Sequence, residues 1–454
     1  MQDLIILGGG PAGYLAAERA ARGGFSVTLF EMRELGGVCL NEGCIPSKAL
    51  LNSAKIYEHA LSGKSFGVLA GDIKLDHSLV EQRRAKVVRT LVSGVKAKMK
   101  AGGINVVRAQ GTILGREDGG FAVEGGGVKA VAKRLLISTG SSPVVPPIPG
   151  LKEALASGFA LTNREVLELE RVPGELVIIG GGVIGLEMAC YYSIAGSHVT
   201  VVEMLDHIAG PTDREISELL KKNCEAAGVT FMLGAKVTAL TADSVKAETA
   251  GGECELKADK VLLSIGRRAN LTGFGLETLG VETTRRGIVT DDHLRTNVEN
   301  VYASGDVNGK LMLAHTAYRE SEVAVNTMLG KRDVMRYNAI PSVIYTLPEV
   351  ASVGLTEEEA RARGVDYEVK KLSMRYSGRF VAENEGDGLC KILVDKRHRT
   401  VLGVHMIGSY ASETIWGAAA LIETELTVSD AREIVFPHPT VSEIVREVLW
   451  EFND

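Results

Sequence analysis

Cys39 and Cys44 stand five residues apart in the run Gly36-Gly37-Val38-Cys39-Leu40-Asn41-Glu42-Gly43-Cys44-Ile45-Pro46-Ser47-Lys48. Two thiols this close can make and break a disulfide, so the chemistry on offer is two-electron redox. Pro46 with Ala49-Leu50-Leu51 behind it predicts a helix starting here, since proline lacks an N–H that a helix start leaves unpaired anyway. Cys44 then lies at the positive end of a helix, where a thiolate is favoured, and Lys48 shares its face one turn on. The pair also suits an incidental buried couple or half of a zinc site. No second cysteine or histidine pair stands at ligand spacing to complete a tetrahedral set, so no metal is expected. Cys190, Cys224, Cys254 and Cys390 are scattered and read as core or surface thiols.

A glycine-rich turn stands just upstream. Leu4-Ile5-Ile6-Leu7 reads as a strand, Gly8-Gly9-Gly10-Pro11-Ala12-Gly13 as a turn opening a helix, and Val27-Thr28-Leu29-Phe30 as a second strand ending in Glu31. The unit recurs: strand Leu176 to Ile179, turn Gly180-Gly181-Gly182-Val183-Ile184-Gly185, helix Leu186 to Ala195, strand Val199 to Val202, and Glu203. In such βαβ units the glycines let backbone N–H groups approach a pyrophosphate, the helix N-terminus stabilises it, and the acid takes a ribose hydroxyl. One such turn is weak evidence; two, each with an acid at the same offset, predict two dinucleotide sites. Glu203 repels a 2′-phosphate and Met204-Leu205-Asp206-His207 supplies no arginine for one, so the second site is expected to take NAD over NADP. The first leads into the cysteines. A dithiol needs a two-electron mediator to reach a nicotinamide, and FAD is the flavin that carries a dinucleotide.

The chain has 454 residues and a net charge of −6, which predicts about three domains and argues against nucleic acid as a partner. No apolar run is long enough to span a membrane, and the first strand begins almost at the initiator, so the cytoplasm is the expected compartment. In a reducing compartment a close cysteine pair is more often catalytic than structural.

Further motifs carry a family resemblance: Ser138-Thr139-Gly140-Ser141, Ser264-Ile265-Gly266-Arg267-Arg268, Tyr302-Ala303-Ser304-Gly305-Asp306, Ile340-Pro341-Ser342-Val343-Ile344-Tyr345 and His438-Pro439-Thr440-Val441-Ser442-Glu443. With Cys39 to Lys48 they make the chain resemble the flavoprotein disulfide reductases along essentially its whole length, and among these the dihydrolipoyl dehydrogenases. The resemblance implies that Cys39 exchanges with the substrate disulfide and that the Cys44 thiolate touches the flavin. It implies Lys48 near the flavin, paired with Glu187, and Asp306 on a ribityl hydroxyl with Met312, Leu313, Ala314 and His315 around the ring system. Gly8, Gly10, Pro11, Ala12, Gly13, Glu31, Gly37, Val38, Gly111, Ser138, Thr139 and Gly140 would complete the FAD site. Gly180, Gly182, Ile184, Gly185, Glu203 and Gly266 would form the NAD site. His438 would be the general acid/base, held by Glu443 and serving the cysteines of the other subunit, which requires a two-fold dimer.

The residues alone allow plainer readings. Asp306 suits a helix N-cap, Lys48 a solvated helical lysine, Glu187 a first-turn acid, and Thr440 to Glu443 a capping box. The chain departs from the usual family pattern at Val38, where threonine is common, and at Glu42, where valine is common. Glu42 is expected to disfavour the thiolates and shift the dithiol potential.

The expected architecture is α/β: an FAD domain over 1–145 ending in the Pro-rich run 143–150, an NAD domain over 146–265, a segment over 266–336 returning to the flavin, and an α+β dimerisation domain over 337–454. Lys396 to Arg399 reads as a solvated hairpin turn and Glu357-Glu358-Glu359 as a solvated first helical turn capped by Thr356. The expected activity is oxidation of dihydrolipoyl groups by NAD. Their carrier would be a lipoyl protein of a 2-oxoacid dehydrogenase complex or of the glycine cleavage system. The alternatives are an NADH-dependent reductase of another disulfide and a flavin- and NAD-binding redox partner that turns over no dithiol.

Overall fold

Leu4, Ile5, Ile6 and Leu7 are buried along their whole length, as an unbroken apolar run should be in a parallel strand covered on both faces. The computed structural model describes residues 1–383 and 386–453. The strand Gln2–Leu7 pairs in parallel with Val27–Phe30 on one side and Val128–Ile137 on the other. Asn105–Val107 extends the sheet beyond Val27–Phe30, while Gly120–Gly125 and Thr112–Glu117 extend it antiparallel beyond Val128–Ile137. Val301–Ala303, from far along the chain, also pairs in parallel with Val128–Ile137.

This sheet belongs to the first of two compact units, made of Met1–Ala49, Ser78–Val145 and Gly266–Arg336. One of its cores runs from Ile5, Leu7 and Phe30 through Phe121 and Leu135 to Val301 and Val307. The second unit comprises Leu50–His77, Pro146–Ile265 and Tyr337–Asp454. Residues 50–77, which sequence reading leaves with the first glycine turn, thus group with the second unit, and the division falls inside the helix Cys44–Leu61.

Within the second unit the βαβ wiring is repeated. Glu175–Ile179 lies between His198–Val202 and Lys260–Leu263, all parallel, with Val229–Met232 and Ala160–Leu161 at the edges. The register is repeated too, Leu4 opposite Val27 in one unit and Leu176 opposite Val199 in the other. The C-terminal part is an antiparallel sheet ordered Ser342–Ile344, Val350–Gly354, Val401–Ile407, Leu389–Asp395, Tyr367–Ser373, with the helices Ala411–Glu423 and Glu443–Trp450 packed on it. The architecture is therefore the expected α/β class with a C-terminal α+β region.

Lys396 to Arg399 does form a hairpin turn, but it is not merely solvated: Lys396 pairs with Asp366 and Arg399 with Glu368. Thr356 and Glu359 make the expected capping box at Glu357–Ala362. Glu357 is not solvated, for its carboxylate lies 2.5 Å from the ammonium of Lys391, whose side chain is 3 % exposed. Asp213 at 3.0 Å and Glu215 at 3.5 Å complete the surroundings of this lysine. Burial opposes the Lys391 charge, but Glu357 and Asp213 outweigh it and hold its pKa above the ordinary lysine value. Removing the cation leaves buried carboxylates uncompensated, so Lys391→Met is expected to destabilise the fold by about 3–5 kcal/mol. A lowered urea midpoint of the full chain reads this out; an unchanged midpoint would contradict it.

Candidate active site

Gly8 and Gly13 are glycines for a steric reason. A Cβ on Gly8, whose φ is +100°, would stand 2.2 Å from the Ser138 carbonyl oxygen, and one on Gly13 would stand 1.8 Å from that of Gly8. Gly10 differs: a Cβ there would meet only Gly37 Cα, at 3.7 Å, so its surroundings leave room for a ligand. The helix Pro11–Arg22 that it opens has no side-chain cap, which leaves its first N–H groups for an anion. Glu31 braces the turn. Its Oε2 accepts the Gly9 N–H at 2.7 Å and its Oε1 the Arg33 N–H at 2.7 Å. Ser138 closes the far side, its hydroxyl shared between the carbonyls of Leu7 and Gly8.

The second unit reproduces this down to the side chains. Gly185 would carry a Cβ 2.2 Å from the Gly180 carbonyl oxygen, while one on Gly182, N-cap of Val183–Ile194, would meet nothing within 4 Å. Glu203 accepts the N–H of Gly181 at 2.7 Å and of Leu205 at 2.8 Å, and the Ser264 hydroxyl is shared between Ile179 and Gly180. Ile184 is half-buried beside this turn. Both turns therefore fit a pyrophosphate approached by backbone and a ribose hydroxyl met by an acid.

The cysteines stand beside the first turn. Gly37, at φ +56°, could not bear a Cβ, which would lie 2.6 Å from Gly10 Cα. It opens the short helix Gly37–Glu42, which holds Val38 and Cys39. Asn41, which sequence reading did not select, ties this helix down through its amide to the carbonyls of Gly37 and Leu35. After Gly43 the helix Cys44–Leu61 begins on Cys44 itself, with Pro46 and Lys48 in its first turns. Both cysteines are free thiols and half-buried. A hydrogen bond with Cys44 and burial push the Cys39 thiol well above its ordinary range, while Lys48 acts the other way.

Asp306 is not an N-cap. It begins the short 3₁₀ helix Asp306–Asn308, and its Oδ2 accepts from the Ser141 hydroxyl at 2.5 Å. That hydroxyl also accepts from Arg267 Nε at 2.7 Å, and an Arg267 Nη donates to the Ser141 carbonyl at 2.7 Å. Burial pulls the Arg267 pKa down, and the charges of Asp306, Glu42 and Cys44 oppose that shift. Ser141 and Arg267 are thus polar members of this region that sequence reading passed over, although both lie inside motifs it had singled out. Tyr14 and Tyr318 are two more, their hydroxyls 2.5 Å apart, and nothing in the local sequence of Tyr318 marks it.

Thr139 and Gly140 are fixed by Asn270, which accepts the Thr139 hydroxyl on its carbonyl and donates to the Gly140 carbonyl. Met312 and Leu313 precede the helix Ala314–Met328, which again starts without a side-chain cap and holds His315 in its first turn. Gly266, at φ +106°, has open space around it. Gly111 is a packing glycine: a Cβ would press on Leu7 and Phe30 at 2.7 and 2.8 Å.

Two further plain readings are corrected, and Glu42 is found with a partner. Glu187 is not a first-turn acid; it lies in the second turn of Val183–Ile194, 3 % exposed, and accepts the Tyr345 N–H at 3.1 Å. Thr440 is no capping residue, because its hydroxyl donates to Pro437 O and the N-cap of Glu443–Trp450 is Ser442. Glu42 is not an uncompensated charge between the cysteines, since Arg33 Nη1 holds it at 2.9 Å. The expected push on the dithiol is thereby weakened at its source.

His438 is exposed and donates from Nδ1 to Glu443 Oε1 at 2.9 Å, leaving Nε2 as the outward nitrogen. Glu443 also accepts the Thr440 N–H at 2.8 Å; that bond, with His438, holds its carboxyl below the usual range despite some burial. The structure thus brings together Cys39, Cys44, Lys48, Asp306 and the first glycine turn in the first unit. Glu187, the second glycine turn and the His438–Glu443 pair lie in the second. Among the described residues no histidine, cysteine or carboxylate cluster suits a metal ion, and no helix is long and apolar enough to cross a membrane.

Comparison with known proteins places this geometry. Residues 2–321 match the profile of the pyridine nucleotide-disulphide oxidoreductases, and residues 340–449 that of their dimerisation domain. The chain is 39% identical to a dihydrolipoyl dehydrogenase of Bacillus subtilis over 98% of this chain and 96% of that one. It is 37% identical to a dihydrolipoyl dehydrogenase of Mycoplasma pneumoniae over 98% and 97%. Among solved structures it superposes on LpdA from Mycobacterium tuberculosis with a TM-score of 0.90 at 25% identity, covering 99% of both chains. RclA from Escherichia coli, an HOCl-induced flavoprotein disulfide reductase, superposes with a TM-score of 0.87 at 27% identity, covering 99% and 100%. Two braced glycine turns, a cysteine pair against the first of them and a matched C-terminal domain make this chain a member of the pyridine nucleotide-disulphide oxidoreductases, a flavoprotein disulfide oxidoreductase whose family binds FAD and NAD(P).

Proposed function

We propose that the protein oxidises dihydrolipoyl groups with NAD, using Cys39 and Cys44 as its redox pair beside FAD. The observation that carries the reading is the seating of the cysteine helix on the first glycine turn, Gly37 against Gly10. The dihydrolipoyl dehydrogenases similar to it along its length favour this substrate. When bound, FAD supplies the two-electron exchange between thiols and nicotinamide. Its pyrophosphate would lie over Gly10 and the start of Pro11–Arg22, with Glu31 toward the ribose; NAD would use Gly182 and Glu203 in the same way.

Starting from the Cys39–Cys44 disulfide, His438 Nε2 takes a proton from one substrate thiol, and that sulfur attacks Cys39. A mixed disulfide forms and Cys44 leaves as a thiolate. The second substrate thiol then displaces Cys39, its proton passing to the departing Cys39 sulfur, and the cyclic disulfide leaves. Glu443 fixes the imidazole tautomer that makes Nε2 the acceptor. The dimerisation domain supports a homodimer, in which His438 of one protomer would serve the cysteines of the other. The carrier of the lipoyl arm would be a 2-oxoacid dehydrogenase complex or the glycine cleavage system. A second reading, reduction of another disulfide by NADH, draws on the similarity to RclA.

The initial rate of NADH formation from NAD and reduced lipoamide tests this. A fast rate, much slower with NADP, is expected. No rate in FAD-loaded protein would overturn the dihydrolipoyl reading and favour the second one.

A further inference from the structure

The loop after Glu203 folds back over the second glycine turn, with the Ala209 N–H on the Gly181 carbonyl at 2.8 Å. Asp206 stands in this loop with a largely exposed carboxylate. Its neighbours in sequence include no arginine, yet the fold brings one. Arg214, first residue of the helix Arg214–Ala226, grips Asp206 with both ends of its guanidinium, Nη1 to Oδ1 at 3.1 Å and Nη2 to Oδ2 at 2.8 Å. Its Nε turns to Glu218 at 3.4 Å. His207 Nδ1 holds Asp206 Oδ1 from the other side at 2.7 Å, and its Nε2 lies 3.0 Å from the Gly210 carbonyl.

A guanidinium fork is the group best shaped to hold a phosphate by two parallel bonds. Here one is tied to the loop that folds back over the dinucleotide turn, with the two donors of its fork already on a carboxylate. We propose that Asp206 is a specificity-determining residue, which keeps Arg214 from pairing with a 2′-phosphate and so adds to the discrimination that Glu203 begins. The inference rests on the reading that the second turn takes NAD. It deepens that reading, because the choice then depends on a withheld cation as well as on a repelling acid. The Arg214 and His207 contacts also hold the Asp206 carboxyl far below the ordinary carboxylate range.

The test is calorimetric binding of 2′,5′-ADP and of 5′-AMP to the FAD-loaded protein, which needs no turnover. Unaltered protein should bind 5′-AMP and discriminate against 2′,5′-ADP. In Asp206→Ala, and again in Asp206→Asn, which keeps the side-chain shape, the affinity for 2′,5′-ADP relative to 5′-AMP should rise by up to about fivefold, the scale of one exposed ion pair gained. Adding Arg214→Gln should abolish the gain. Discrimination unchanged in both Asp206 variants, or a gain that survives Arg214→Gln, would overturn the role of the clamp. Equal binding of both probes by the unaltered protein would instead overturn the NAD reading itself, so the two failures are distinct.

Discussion

Cys44→Ser is expected to yield a protein that still carries FAD and no longer oxidises a dithiol, its reduced-lipoamide turnover lower by roughly four orders of magnitude or more, as when a covalent nucleophile is removed. The flavin should stay because the groups that fit it are elsewhere: the braced turn at Gly8 to Gly13, Glu31, and the Ser141–Asp306 pair. The serine hydroxyl preserves the start of Cys44–Leu61, whose first turn is held by the Ser47 hydroxyl and N–H on the Gly43 carbonyl. What is lost is the leaving group. Without a second sulfur, attack on residue 39 has no disulfide to open, and electrons cannot pass from substrate to flavin by exchange. The check has two parts: the visible flavin spectrum with the rate from reduced lipoamide, and the rate of NADH oxidation by an artificial acceptor that needs no cysteine. Loss of the first rate with the second retained is the expected outcome. Substantial dithiol turnover in this variant would sink the assignment of the redox pair.

The parts legible in the sequence are those where backbone geometry permits few residues. Gly8 and Gly13, or Gly180 and Gly185, could be read because a strand turning straight into a helix leaves a backbone carbonyl oxygen between 1.8 and 2.6 Å from where a Cβ would be. That restriction leaves glycine at fixed spacing. Glu31 and Glu203 could be read because each follows an apolar strand at a constant offset, and the matched registers of the two sheets place them alike. Charge pairing left no such trace. Arg33 neutralises Glu42 from nine residues upstream, Arg214 reaches Asp206 across a loop, and Lys391 meets Asp213 across the second unit. Each depends on where long side chains end, which sequence spacing does not constrain. The motif Thr440 to Glu443 shows the opposite hazard. It has the spelling of a capping box, yet Glu443 uses one oxygen for the Thr440 N–H and the other for His438. The local rule explained half of the carboxylate, and only the family resemblance supplied the His438 half. Arg267 and Ser141 belong with the long-range pairs, since the bonds that join them connect residues 126 apart in the sequence.

His438→Gln should lower dithiol oxidation by about 10²–10⁴-fold, the usual contribution of a positioned acid/base. Glutamine is the informative replacement because its amide can still donate to Glu443, so a role in holding the loop would survive and a role in moving the proton would not. The pH dependence separates the two further. Glu443 is held below the ordinary carboxylate range by the Thr440 N–H and His438, so it stays ionised wherever an imidazole titrates and the rate profile should not report it. In the unaltered protein a base must be neutral to accept the substrate proton, so the rate should rise with pH and then level off. In His438→Gln that limb should disappear, and the residual rate should keep rising toward alkaline pH as the substrate thiol ionises unaided. Glu443→Gln should keep the limb but lower its plateau, because Nδ1 loses the carboxylate that orients the ring and stabilises its protonated form. A His438→Gln variant with an unaltered profile would show that the proton leaves by another route, whatever the loss in rate.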